Sequence, residues 1–215
     1  MNSYKIFIPV LFALFISGCA SDLRVINLSK AKKMVQNYYE SGEFDRESRN
    51  IIDNAINYID RITLKDKSAV IFDVDETALS NYQITKETGF GFIPKQSEEW
   101  QLKGVADALP QTKRFYDYLV SKNIHVIFMT GRQNNFWNAT RKNLIEKGFS
   151  KFDTLIVRDI NEKDLPAAEF KSFKRDWLVR RGYDIIASVG DQLSDFAGGN
   201  TGYKIKLPNY LYLID

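Results

Sequence analysis

The run Ala69-Val70-Ile71-Phe72 stops at Asp73-Val74-Asp75, and this break from apolar chain to paired carboxylates constrains the fold more than any other feature. Four consecutive apolar residues, β-branched and aromatic and without helical period, suit a strand buried on both faces, as at the centre of a parallel sheet. A parallel neighbour can be reached only through a long crossover, usually a helix. The rest of the chain supplies such crossovers. Periodicity and glycine stops predict a helix over 111–121, a strand over 124–129, and a helix over 136–147 ended by Gly148. A strand over 154–157, a helix over 169–181 ended by Gly182, a strand over 185–189 and a short strand near 203–207 follow. This alternation predicts an α/β fold, a Rossmann-like doubly wound parallel sheet. Two segments near 28–39 and 45–62 place Val35, Tyr38 and Tyr39, then Ile51, Ile52, Ala55, Ile59 and Ile62, at helical spacing, and are read as N-terminal helices packed on the sheet. Residues 78–109 show no clear period and include Gly89-Phe90-Gly91-Phe92, Pro94 and Trp100, which predicts a small cap insertion over the strand edge.

Open α/β sheets carry their chemistry at the C-terminal strand ends, and the end at Asp73 and Asp75 concentrates negative charge. Two carboxylates this close repel unless a cation or a shared proton neutralises them, so the pair points to a metal and a phosphate. Three further segments carry complementary groups. The strand 126–129 runs into Thr130-Gly131-Arg132, which offers a hydroxyl, a glycine and a cation in what reads as one turn, suited to an anionic oxygen. Lys171 can neutralise a phosphoryl group or an attacking carboxylate, with Lys174 as the competing candidate. The strand 185–189 ends at Gly190-Asp191, with Asp195 four residues on.

Simpler roles compete for some of these groups. Asp195 could cap the following helix, Arg132 could form a surface ion pair, Thr77 could serve as a turn or supporting hydrogen-bonder, and Glu76 could face solvent. His125, the single histidine, falls inside a predicted strand and is read as structural. One histidine cannot furnish a histidine-nucleophile phosphatase or a histidine-rich zinc or binuclear centre.

The chain of 215 residues, 44% hydrophobic and 27% charged, is enough for one sizeable domain. Its formal charge of +3 contains no Lys/Arg block, so no nucleic-acid polymer is expected as a partner. At the N-terminus, Lys5 precedes an apolar stretch that ends Ile16-Ser17-Gly18-Cys19, the layout of a signal peptide over 1–18. Ile16-Ser17-Gly18-Cys19 resembles a bacterial lipobox, which implies lipidation of Cys19, a tether over 19–27, and a place in the bacterial cell envelope. In that pattern Ala20 favours the outer membrane. Cys19 is the only cysteine, so no intrachain disulfide forms.

The order Asp-x-Asp-x-Thr, Thr-Gly-Arg, Lys-Ser-x-x-Arg and Gly-Asp-x-x-x-Asp resembles the haloacid dehalogenase superfamily of phosphohydrolases. Val189-Gly190-Asp191-Gln192-Leu193-Ser194-Asp195-Phe196, and the spacing from Lys171 to Gly182-Tyr183-Asp184, look like its acid phosphatase branch, which holds bacterial class C lipoprotein phosphatases and plant vegetative storage proteins. The resemblance implies one phosphatase domain over 28–215, hydrolysing small phosphomonoesters. It implies Asp73 as a nucleophile forming an aspartyl-phosphate, Asp75 as acid then base, and Thr130, Gly131 and Lys171 as phosphoryl binders. Mg²⁺ would be held by Asp73, Asp191 and the backbone carbonyl of Asp75, with Asp195, Arg132 and Thr77 in support. Class C relatives place aromatic residues of the insertion against nucleoside monophosphates, which implies substrate contacts for Tyr82, Phe92 and Trp100, with Phe90 beside them. A non-enzymatic lipoprotein of the same fold with a vestigial site is the alternative. A receiver domain fits less well, because it lacks an acidic pair after its lysine.

Overall fold

The computed structural model describes residues 25–214, so the predicted leader, Cys19 and most of the tether lie outside the described residues. In chain order the main elements are α1 (Leu28–Glu40), α2 (Glu43–Ile59), β1 (Ser68–Phe72), β2 (Leu79–Ser80), α3 (Tyr82–Glu87), α4 (Pro94–Lys103) and β3 (Asp107–Ala108). They continue with α5 (Pro110–Ser121), β4 (His125–Gln133), α6 (Trp137–Glu146), β5 (Thr154–Arg158), α7 (Ala167–Arg180), β6 (Asp184–Gly190) and β7 (Tyr203–Lys206). All five residues of β1 are buried, as the unbroken apolar run requires of a central strand.

Five strands form one parallel sheet in the order β5-β4-β1-β6-β7. The chain winds outward from β1 through β4 to β5, then returns to the other side of β1 for β6 and β7. The reversal puts the C-terminal end of β1 at the switch point, where a crevice opens between oppositely directed connections. Register aligns Phe72 with Phe128 on one side and with Val189 on the other, so the segments after β1, β4 and β6 leave the sheet at one level.

Alternating residues serve two cores. Val70, Phe72, Val126 and Phe128 pack against Ile52, Ala55, Phe115 and Leu119 of α2 and α5. Ala69, Ile71, Ile127 and Met129 face Phe170 and Leu178 of α7. Fully burying one such side chain contributes about 1.5–3 kcal/mol, so these layers hold the strand ends in fixed relation.

The insertion is more ordered than its sequence predicts. β2 and β3 pair antiparallel (Leu79 with Ala108, Ser80 with Asp107) and close its neck around two helices, α3 and α4. Pro94 opens α4 and Gly104 ends it at φ +61°; a Cβ on Gly104 would lie 2.9 Å from the Ala139 carbonyl oxygen. That close approach seats the end of α4 on α6. α3 is under two turns long and α4 buries only Trp100, so neither carries an apolar stripe, which is why the segment reads as irregular.

The predicted turn at Thr130-Gly131-Arg132 is corrected. β4 continues to Gln133, through a register irregularity after Met129. Strand alternation therefore puts Thr130 and Arg132 inward and leaves Gly131 exposed between them. The helix expected to reach residue 62 ends at Ile59. Among the described residues no helix is long and apolar enough to cross a membrane.

Candidate active site

Asp73, the first residue after β1, has only 7% of its surface exposed and donates its backbone N–H to the Val189 carbonyl. Lys171 reaches it from α7, with Nζ 2.7 Å from Asp73 Oδ1 and a second, closer contact to Asp195. Lys171, rather than Lys174, is the lysine of the site: Lys174 pairs with Glu162 outside it. Burial lowers the Lys171 pKa, but the charges of Asp73 and Asp195 outweigh it and hold the ammonium above its ordinary range.

Asp73, Asp191 and Asp195 can each place one carboxylate oxygen within 4.8 Å of the others, all buried. Burial drives the Asp73 carboxyl well up, against Lys171 and with help from Asp195, Asp191 and Asp75. Asp191 also rises through burial and then Asp195, although Asn209 and Gln192 hydrogen-bond to it. Thr77 Oγ1 donates to Asp191 Oδ1 at 3.1 Å and Asn209 Nδ2 to Oδ2 at 2.7 Å, so both hold one carboxylate of the cluster. Three buried carboxylates face one ammonium, and the excess negative charge asks for a cation. An all-oxygen donor set suits a hard divalent ion.

Asp195 does two things. Its Oδ2 accepts from Gln192 N at 2.8 Å and closes the 3-10 turn Leu193–Phe196, while Oδ1 meets Lys171. A Cβ on Gly190 would collide with the Asp195 side chain, which explains the glycine in Gly-Asp-x-x-x-Asp. Buried Arg175 donates to the carbonyls of Asp195, Ala197 and Gly199 and holds this loop, a task for the arginine of Lys-Ser-x-x-Arg.

Asp75 takes a different environment. Arg132 is 3% exposed at its side chain, not the surface ion pair its sequence allows, and clamps Asp75 through Nε and Nη2, the latter 2.6 Å from Oδ1. Thr140 accepts from Arg132 Nη1 at 3.0 Å and fixes the guanidinium. Asn81 Nδ2 donates to Asp75 at 2.8 Å and Thr130 Oγ1 at 3.3 Å. Burial raises the Asp75 pKa, but Arg132 and these donors outweigh it and leave the carboxyl below its ordinary value. The two aspartates of Asp-x-Asp are thus pushed apart, the pattern that separates acid–base roles.

Several residues lie where the sequence does not place them. Glu76 is buried rather than solvent-facing, with φ +51° turning its side chain inward. It accepts from Asn81 N at 2.6 Å, from Asn81 Nδ2 and from the Tyr212 hydroxyl. Burial, then the charge of Asp75, pushes its pKa up to about 8. Tyr82 is not at the cavity: its ring stacks on Tyr39 and its hydroxyl donates to Glu40 at 2.8 Å, so the expected substrate contact is corrected. Trp100 lines the cavity but commits its N–H to Asn81 Oδ1 at 2.9 Å. Phe92 stands 80% exposed at the mouth, with Phe90 also in the wall. His125 bridges Asp153 and the Asp66 carbonyl, as a structural residue does.

The cavity is about 720 Å³, with Asp73, Asp75, Gly131, Arg132, Lys171 and Asp191 in its polar wall. Its far wall is the C-terminal tail. Tyr210 N donates to the Tyr39 hydroxyl and Ile214 N to Gln192 Oε1 at 3.0 Å, which carries Leu211, Tyr212 and Leu213 along the cavity.

Comparison with known proteins agrees with this geometry. The model of the HAD superfamily, subfamily IIIB (acid phosphatase), matches residues 20–215. The chain is 34% identical over 183 residues to a stem 28 kDa glycoprotein of Glycine max, covering 82% of this chain and 72% of that one. It is 31% identical to acid phosphatase 1 of Solanum lycopersicum, over 84% of this chain and 73% of that one. The crystal structure of the Bacillus anthracis class C acid phosphatase with tungstate bound superposes with a TM-score of 0.71 at 26% identity, covering 87% of each chain. These relatives correct the expected location: the curated relatives include proteins of soybean, tomato and Arabidopsis thaliana, and assignment to a bacterial outer membrane does not stand. With the parallel sheet, the four motif ends and the family match in agreement, the chain belongs to subfamily IIIB of the HAD superfamily, the acid phosphatases, and is a phosphomonoesterase.

Proposed function

We propose that the chain hydrolyses small phosphomonoesters through an aspartyl-phosphate on Asp73, with Asp75 as the proton carrier. The carrying observation is the opposed treatment of the two carboxylates: Asp73 faces Lys171 inside an acidic cluster, while Asp75 is clamped by Arg132. An Asp73 oxygen attacks phosphorus and the bond to the leaving oxygen breaks. Asp75 donates its proton to that oxygen. Asp75 then accepts a proton from water as the water attacks phosphorus, which releases phosphate and regenerates Asp73. A resting carboxyl held low by Arg132 is charged and suited to the second step; acidic medium supplies the proton for the first.

Lys171 and the Gly131 edge of β4 border the place for the phosphoryl oxygens. Thr130 would turn its hydroxyl from Asp75 toward them. Asp73, Asp191 and Asp195 would hold the divalent cation, and Mg²⁺ fits their oxygen donors and buried charge; bound there it would neutralise developing phosphoryl charge. The Bacillus relative was solved with tungstate bound, a tetrahedral oxyanion like phosphate, which supports a phosphomonoester substrate. For the leaving group the cavity offers apolar lining, Phe90, Phe92 and Ile93 from the cap and Leu211, Leu213 and Ile214 from the tail. A nucleobase stacked on Phe92 would gain about 1–3 kcal/mol, which keeps nucleoside monophosphates among the candidate substrates.

Phosphate release from p-nitrophenyl phosphate tests the reading. Added Mg²⁺ is expected to support turnover, and EDTA to reduce it by about 100-fold or more, restored by excess Mg²⁺. Full activity after exhaustive chelation would remove the cation from the mechanism. Asp75→Asn separates the proton role: it is expected to slow alkyl phosphates by about 10²–10⁴-fold, and p-nitrophenyl phosphate, whose leaving group needs no proton, markedly less in the first step. Equal first-step losses, read as the burst of p-nitrophenol against alkyl-ester turnover, would exclude Asp75 as the acid.

A further inference from the structure

Arg158, the last residue of β5, is a buried cation that the reaction above does not use. Only 8% of its surface is exposed, and it forms no ion pair within 4 Å among the described residues. Glu162, the acid nearest to balancing it, pairs instead with Lys174 at 2.6 Å. The guanidinium is fixed from one side. Nη1 donates to the carbonyls of Glu162 at 2.9 Å and Leu165 at 2.5 Å, and the group lies 4.9 Å from the centre of the Phe170 ring.

The opposite edge is free. Nε and Nη2 donate to no protein group among the described residues, yet neither is sealed in, since Ser48 Oγ is the one fully buried side-chain polar atom there without a partner. Arg158 lines the cavity beside Gly131: a Cβ built on Gly131 would lie 3.7 Å from Arg158 Nε. An arginine whose plane is locked and whose Nε/Nη2 edge stays open presents the two parallel donors that grip a carboxylate or phosphate side-on. Lys163, also in the cavity wall, adds positive charge on that side.

We propose that Arg158 forms an anion subsite for the leaving group, so that the preferred substrates are phosphomonoesters carrying a second anionic group, a carboxylate or another phosphate. This rests on the phosphomonoesterase reading. The transferred phosphoryl group already has Lys171, Thr130 and the cation cluster, whereas β5 stands two strands from β1, about 10 Å across the sheet. A compact diacid spans that interval with its phosphoryl group at Asp73. The donors are ordered before binding, so little freedom is lost when the anion arrives.

The test uses the whole chain and two matched, non-hydrolysable probes, phenylphosphonate and 4-carboxyphenylphosphonate, titrated calorimetrically with Mg²⁺ present. The wild type is expected to bind the carboxylated probe about tenfold more tightly. Arg158→Gln is expected to erase that preference, and Arg158→Lys, which keeps the charge without the fork, to keep part of it. Thermal melts confirm that each variant is folded. A preference unchanged in folded Arg158→Gln would overturn the proposal, as would an equal loss for both probes, which would assign Arg158 to the transferred group. Hydrolysis of phenyl phosphate and 4-carboxyphenyl phosphate is measured beside it. Failure of the wild type to cleave either, with the binding preference intact, would count against the hydrolytic reading and leave the subsite standing.

Discussion

Asp73→Asn is expected to reduce phosphate release from p-nitrophenyl phosphate by about 10⁴-fold or more while leaving the fold intact. An amide nitrogen or oxygen cannot form the acyl phosphate on which the two-step route depends, and loss of a nucleophile removes far more than a binding contact does. The fold is expected to survive because Asp73 does not hold the sheet together; Phe72 and its partners Phe115 and Phe128 do. The substitution also relieves a cluster. Asp73 is pushed up by burial first, and by Asp195, Asp191 and Asp75 after it, so a neutral side chain of equal size lowers the repulsion that remains. The variant is therefore expected to unfold in urea at or above the wild-type midpoint when both are free of metal. Acid quench and mass measurement of the wild type during turnover would show a phosphorylated chain that the variant lacks. Activity within tenfold of wild type would exclude Asp73 as the nucleophile.

The sheet and the polar ends of its strands were legible because both are written locally. Val70 to Phe72 and Val126 to Met129 announce buried strands by themselves, and each motif follows its strand within a few residues. The supporting contacts were not legible, because they join distant segments that carry no period. Tyr212 lies 136 positions from Glu76, and Asn209 reaches Asp191 from a tail with no helix or strand around it. Asn81 was within reach: it closes the run Asp-x-Asp-Glu-Thr-x-x-Ser-Asn, and an asparagine at the neck of an insertion can bridge the two. It spends both amide ends, taking the Trp100 N–H and giving to Asp75 and Glu76. Tyr82 misled for the reverse reason, since an aromatic residue beside a motif can just as well pack on α1, where Tyr39 offers its face.

Lys171 carries the charge balance of the site, so Lys171→Met is expected to be the most destabilising change in it. Among the described residues its ammonium is the one cation in contact with the carboxylates of Asp73 and Asp195, and removing one partner from buried ions costs about 3–5 kcal/mol. The loss is expected to depend on pH in a defined direction. Without Lys171, burial first and repulsion from the neighbouring carboxylates second raise the Asp73 and Asp191 pKa values, opposed at Asp191 by the Asn209 and Gln192 hydrogen bonds. A carboxyl titrating higher in the folded chain than in the unfolded one contributes most below its unfolded pKa and loses that contribution as pH rises through the folded value. In EDTA, the variant's urea midpoint is therefore expected to fall as pH rises above the ordinary carboxylate range, with the wild type changing less. Mg²⁺ is expected to restore part of the neutral-pH stability, because an ion among Asp73, Asp191 and Asp195 substitutes for the missing charge. Turnover is expected to remain at least about 100-fold down even then, since a cation there does not replace the Lys171 hydrogen bond that orients Asp73. A variant as stable as wild type at neutral pH without metal would show that Lys171 does not balance the three carboxylates.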